Sequence, residues 1–184
     1  RTDFAMEHAY WGPEYSNDEI ESALKESKGE YQYIENIESA AAKLLADGKI
    51  LGWFQGRMEW GPRALGARSI LAHPGLPGMK DKVNLEVKNR EAWRPFAPSI
   101  LEEEVSNYIE NSRPSPFMLL TFIVKKEKRD ALAAAMHIDN TARVQSVSAK
   151  TNPRYHKLIQ EFQKLTNIAA LLNTSFNDKG EPVV

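Results

Sequence analysis

The 184-residue sequence predicts a single α/β domain, on three observations. Segments with apolar residues at helical spacing are interleaved with short runs that are continuously apolar or alternate in polarity, the order expected when helices pack on a sheet. The length suits one core and leaves no room for a second full domain. A composition of 42% hydrophobic and 27% charged residues is that of a folded domain rather than a disordered or membrane chain.

Residues 16–28, SNDEIESALKESK, open on a Ser cap with acids in the first turn and predict an amphipathic helix. Residues 35–49 predict a second, with Ile37, Ala40, Ala41, Leu44 and Leu45 at helical spacing and Gly48 closing it. ILGWF (50–54) and SILAHP (69–74) read as strands, PGMKDKVNLEVK (77–88) as a helix with Pro77 near its start, and RPFAPSIL as a loop entering a strand. NSRPSP (111–116) is linker-like. FMLLTFIVK (117–125) predicts a buried strand, KEKRDALAAAMH a helix and ARVQSVS one alternating strand. NPRYHKLIQEFQKLT predicts a helix begun by Pro153, and IAALLN a final buried strand.

With 24 basic and 25 acidic residues the net charge is -1, so no global positive field advertises a nucleic acid and any anion site must be local. The chain has no cysteine, which excludes disulfides and thiolate metal sites. No apolar run is long enough to span a bilayer and the N-terminus lacks a signal-like apolar region, so a cytoplasmic setting is expected. The chain starts on Arg1 and stops at GEPVV, after a strand-like run and a turn, which suggests a piece of a longer protein.

Four groups of residues carry chemistry. GRMEWGPRALGARS (56–69) threads Arg57, Arg63 and Arg68 between glycines, combining planar donor forks for carboxylate or phosphate with a backbone able to approach a ligand. VKNREAWRPFAPS (87–99) would set Lys88 and Arg90 on one side of an extended segment, with Arg94 nearby; Trp93 and Phe96 read as core. In HIDNTARVQSV (137–147), His137 and Asp139 read as a structural pair rather than a metal site, and Arg143 as the functional candidate. LLNTSFNDKGEPVV ends in Asn173, Thr174, Ser175 and Asn177, short donors and acceptors suited to a turn around phosphate or ribose.

In this order the four groups, with NPR...LI, resemble the C-terminal domain of carbamoyltransferases of the NodU/CmcH type, over the chain from about Gly52 to its end. The first fifty residues, with HAYWGPEYS, look like the family's lead-in, which divides the chain into a helical lead-in at 1–50 and a YrdC-like domain at 51–184. The resemblance implies a twisted mixed β-sheet flanked by helices, with a K-x-R pair at Lys88 and Arg90 and a distant S-x-N at Ser175 and Asn177. It also implies that the domain takes carbamoyl phosphate and ATP, with Mg²⁺, and forms carbamoyl-adenylate with release of pyrophosphate. An N-terminal actin/Hsp70-like domain would then carry the carbamoyl group to an acceptor hydroxyl. Carried over residue by residue, Arg63, Lys88, Arg143 and Ser175 are the expected catalytic set, and Arg68, Arg90, Asn173 and Asn177 the expected substrate-binding residues; no metal ligands are identified. Asn140 stands where the family pattern has glycine. The alternative reading is a non-catalytic module: an RNA-binding one, against which the balanced charge and the lack of interleaved aromatic and basic residues count, or a structural one that docks onto the transferase half.

Overall fold

The computed structural model describes residues 5–184. Helices α1 (Asn17–Glu26) and α2 (Ile37–Ala46) precede strands β1 (Leu51–Phe54) and β2 (Arg68–Ala72). A short helix α3 (Met79–Lys82) runs on as a π-helical turn, Val83–Val87, to β3 (Ala97–Leu101). Helix α4 (Val105–Tyr108), strands β4 (Thr121–Ile123), β5 (Thr141–Arg143) and β6 (Gln145–Val147), helix α5 (Pro153–Thr166) and strand β7 (Ala170–Ser175) complete the chain.

Five strands form one mixed sheet in the order β1-β2-β7-β3-β6, antiparallel except for the parallel pair β3 and β6. Alternate side chains of its central strands reach opposite cores. Leu71 and Leu171 join α2 and α5 through Ala41, Ala42, Leu45, Leu158, Ile159 and Phe162. Ala72 and Leu172 face Met79, Val83, Phe96, Ala134 and Ala135 on the other side. Helix α2, within the expected lead-in, therefore belongs to the main core.

Several expected elements take other forms. Residues 117–125 supply only β4, which pairs with β5 as a separate two-stranded sheet and exposes Thr121 and Ile123. ARVQSVS is not one strand: β5 and β6 lie in different sheets, and buried Val144 is the corner between them. Residues 126–128 and 130–135 wind as 3₁₀ turns rather than an α-helix, burying Leu132, Ala134 and Ala135. The helix over 77–88 loosens into its π-turn after one regular turn. Lys88 and Arg90 consequently leave a helix end, not a strand, with Asn89 between them at φ +46°. Asn140 adopts φ +64°, a left-handed conformation that asparagine tolerates and glycine adopts freely, so the backbone here suits either the asparagine present or the glycine expected.

Strands β2, β3 and β6 begin, and β7 ends, at one end of the sheet. There the loop between β1 and β2 crosses toward α5. Gly66 has φ +100°, and a Cβ on it would overlap the Tyr155 ring. Its small size serves contact with the core rather than approach to a ligand. Gly66→Ala combines left-handed strain with overpacking and is expected to cost about 3 kcal/mol; urea unfolding measures it.

Candidate functional site

Two adjoining cavities open at that sheet end, sharing Arg90 and Ser175. The first, about 120 Å³, lies between the β1–β2 loop and the start of β3 and is lined by Arg63, Arg90, Arg143, Asn173, Thr174 and Ser175 with apolar neighbours including Phe96. Three guanidinium groups face it and no carboxylate does. The second, about 190 Å³, is lined by Lys88, Arg90, Arg94, Lys179, Ser175 and Asn177 together with Glu91 and Asp178. Those two acids are engaged: Glu91 pairs with Arg94 at 3.0 Å and Asp178 accepts from Asn89.

Each cation is set by a different device. Arg143 ends β5, and its Nε is buried with no hydrogen-bond partner among the described residues. Desolvation, and next the Arg63 charge, lower its pKa. Arg90 donates from Nε to Asn84 Oδ1 at 2.7 Å and lies over the Phe96 ring at 4.9 Å. Asn84, fully buried on the π-turn, is locked by donating from Nδ2 to the carbonyls of Ala92 and Arg94. Lys88 donates from Nζ to Ser175 O at 2.9 Å and to Asn177 O and Oδ1. It holds the turn after β7 beneath the second cavity.

Arg63 sits in a loop whose backbone is held almost group by group. Glu59 Oε1 accepts the N–H groups of Leu65 (2.7 Å), Ala67 (2.6 Å) and Arg68 (3.2 Å). Gly66 N–H donates to Ser69 Oγ, and Leu65 O accepts from Tyr10 Oη and Gln145 Nε2. Ala64 O accepts from Asn173 Nδ2, which also donates to Ser99 Oγ.

The structure thus brings Arg63, Arg90, Arg143, Asn173 and Ser175 to one cavity and Lys88 and Asn177 to its neighbour. Asn173 spends its amide donors on the loop and on Ser99. Arg68 requires a correction. Its guanidinium is buried, donates to the carbonyls of Gln55, Ala67 and Pro13, stacks on Phe54 at 3.5 Å and lines neither cavity, so it braces the loop's base. Arg57 donates to Trp11 O. His137 and Asp139 both bond Thr141 Oγ1, a local structural link. Phe96 is buried as expected, whereas Trp93 is 72% exposed.

Glu59, Gln145, Ser99 and Asn84 were not singled out from the sequence. Glu59 carried a signal, as the only acid within an arginine-rich loop. The others are polar residues whose burial depends on which strand or turn they meet.

Among solved structures, P. abyssi Sua5 complexed with L-threonine superposes with a TM-score of 0.57 at 16% identity, covering 83% of this chain and 42% of that one. Full-length HypF in its phosphate- and nucleotide-bound form gives 0.56 at 23% identity, covering 79% and 21%. The domain has the YrdC-like α/β fold. Residues 42–184 match the family described as Carbamoyltransferase C-terminus, and the chain belongs to that family. Nodulation protein NolO of Bradyrhizobium diazoefficiens is 47% identical over 181 residues, 95% of this chain and 33% of that protein. The chain spans about a third of the length of curated relatives it matches. Among the described residues no helix is long and apolar enough to cross a membrane.

Burial first, and the Arg90 charge next, depress the Lys88 ammonium from 10.5 to about 8, with Asp178 opposing. Affinity for inorganic pyrophosphate is therefore expected to weaken as pH rises through about 8, with the inflection absent in Lys88→Met. Stability moves oppositely. Between about 8 and 10.5 the folded chain has lost a proton that the unfolded chain keeps, so unfolding becomes harder as pH rises. Calorimetric titrations and denaturant melts across that interval check both signs.

Proposed function

We propose that this domain binds ATP and carbamoyl phosphate and forms carbamoyl-adenylate, which the rest of the longer protein delivers to an acceptor hydroxyl. The observation that carries the reading is the cavity faced by Arg63, Arg90 and Arg143 without a carboxylate. Converging cations that lack protein counter-charges suit a ligand with several anionic oxygens, and membership of a carbamoyltransferase family supplies the carbamoyl chemistry. An N-terminal actin/Hsp70-like domain is the proposed site of transfer, consistent with relatives about three times as long.

The chemistry balances in two steps. Water takes the phosphoryl group from carbamoyl phosphate, giving inorganic phosphate and carbamate. A carbamate oxygen then bonds to the α-phosphorus of ATP while the α–β bridging bond breaks, giving carbamoyl-adenylate and pyrophosphate. In the second step two anions meet and negative charge moves onto the leaving pyrophosphate. Fixed guanidiniums offset that repulsion without reorganising. Arg63 and Arg143 would hold phosphoryl oxygens in the first cavity, Arg90 would bridge to the second, and Ser175 Oγ would offer a hydroxyl donor between them. Lys88 would supply positive charge through the turn it holds.

No group of three His, Asp or Glu side chains able to cage a metal occurs among the described residues. The Mg²⁺ proposed with ATP would be held chiefly by the nucleotide's phosphates.

The test is carbamoyl-phosphate-dependent pyrophosphate release from ATP by the full-length enzyme. Arg63→Ala is expected to lower it by roughly 10² to 10³ with the fold retained, and Lys88→Ala and Ser175→Ala to lower it as well. Release within a few-fold of the parent in Arg63→Ala rejects the assignment. Unchanged release with loss of transfer alone would put adenylate formation elsewhere.

A further inference from the structure

We propose that Glu59 is the positioning residue for Arg63, a buried carboxylate that aims the guanidinium by holding the loop behind it. The proposal rests on reading the first cavity as an anion site. Arg63 takes part in none of the ion pairs among the described residues, so its own side chain is not tied in place by counter-charge. Its position over the cavity is inherited from its main chain.

That main chain turns on one oxygen. Glu59 is 5% exposed, and its Oε1 collects the N–H groups of Leu65 and Ala67, two and four residues beyond Arg63, and of Arg68 at the start of β2. An anion accepting several backbone donors makes charge-assisted bonds, stronger than neutral ones. Its Oε2 is buried without a hydrogen-bond partner among the described residues, so all of the carboxylate's hydrogen bonding there passes through that fan of amides. The carboxylate never faces the cavity, and so it does not neutralise the arginines there. The buried Arg68 guanidinium feels the Glu59 charge, which partly offsets the desolvation that lowers its pKa. An acid placed in an arginine-rich loop thus organises the cationic site from behind.

The experiment uses the full-length protein, with inorganic pyrophosphate as the probe and Arg63→Ala, Glu59→Leu, Glu59→Gln and the Glu59→Leu/Arg63→Ala pair as variants. Glu59→Gln keeps a neutral acceptor at Oε1, whereas Glu59→Leu removes it. Two readouts are taken: amide hydrogen exchange at residues 65, 67 and 68, and pyrophosphate affinity by calorimetry. In Glu59→Leu the three amides are expected to lose protection while Leu71 in the sheet keeps its own. Pyrophosphate affinity should fall about tenfold or more, Glu59→Gln should recover most of it, and the double variant should bind no more weakly than Arg63→Ala alone. If Glu59→Leu does not fold, Glu59→Asp, which withdraws the carboxylate by one methylene, gives the same comparison.

Unchanged exchange at the three amides overturns the proposal. So does lost protection with unchanged pyrophosphate affinity while Arg63→Ala still weakens binding, or a double variant whose loss is the product of the single losses. If protection is lost but Arg63→Ala leaves affinity intact, the anion reading of the cavity fails and Glu59 is only a loop anchor; this outcome separates the two failures.

Discussion

Three guanidinium groups around one small cavity repel one another, and with no carboxylate in the lining their arrangement must be held by the backbones that carry them. The molecule meets this constraint with three scaffolds. Arg143 is carried by a strand end, Arg90 is locked by a buried asparagine on a π-turn, and Arg63 rides on a loop pinned by Glu59, Ser69, Asn173, Gln145 and Tyr10. A flexible cluster could relieve repulsion by turning its arginines outward. The pinned loop restricts that escape, and the desolvated Nε of Arg143 records the cost.

The polar residues that do the pinning form a layer on the sheet beneath the loop. Asn173 on β7, Ser99 on β3 and Gln145 on β6 bond one another, and Asn173 and Gln145 also bond the loop, so the register of three strands fixes where the loop sits. Buried polar groups cost free energy when unpaired and confer specificity when paired, so this layer ties the geometry of the site to correct strand pairing. The Gly66 contact with Tyr155 adds a steric limit on the same loop from α5.

Much of this was legible in the sequence. Helices α1, α2 and α5 and strands β1, β2, β3 and β7 follow from caps, periodicity and apolar runs, because those signals are local. The misread stretches are those whose form depends on distant partners. Whether ARVQSVS is one strand or two is decided by which sheet each half joins, and the alanine-rich 130–135 segment is held in a 3₁₀ form against the core instead of completing a helix. Of the site, the arginines and the Ser175–Asn177 turn stood out by residue type. The sequence did not tell a guanidinium facing a cavity from one bracing a loop, because Arg63 and Arg68 differ only in what lies around them. Arg68 meets three carbonyls and a phenyl ring.

The distinction between facing and bracing extends to Lys88. Its ammonium is already engaged by Ser175 and Asn177 before any ligand arrives, so its charge acts at the site through a turn rather than by a free side chain. Such an arrangement couples ligand and fold. Repulsion among Arg63, Arg90 and Arg143 opposes folding in the absence of an anion, and a bound polyanion converts the same charges into attraction. Binding to the folded chain alone stabilises it by mass action, in proportion to the logarithm of ligand over dissociation constant. On the proposed function, a site preorganised for charge that develops during reaction carries its electrostatic strain in the ground state of the free protein, where the buried polar layer beneath the loop must sustain it.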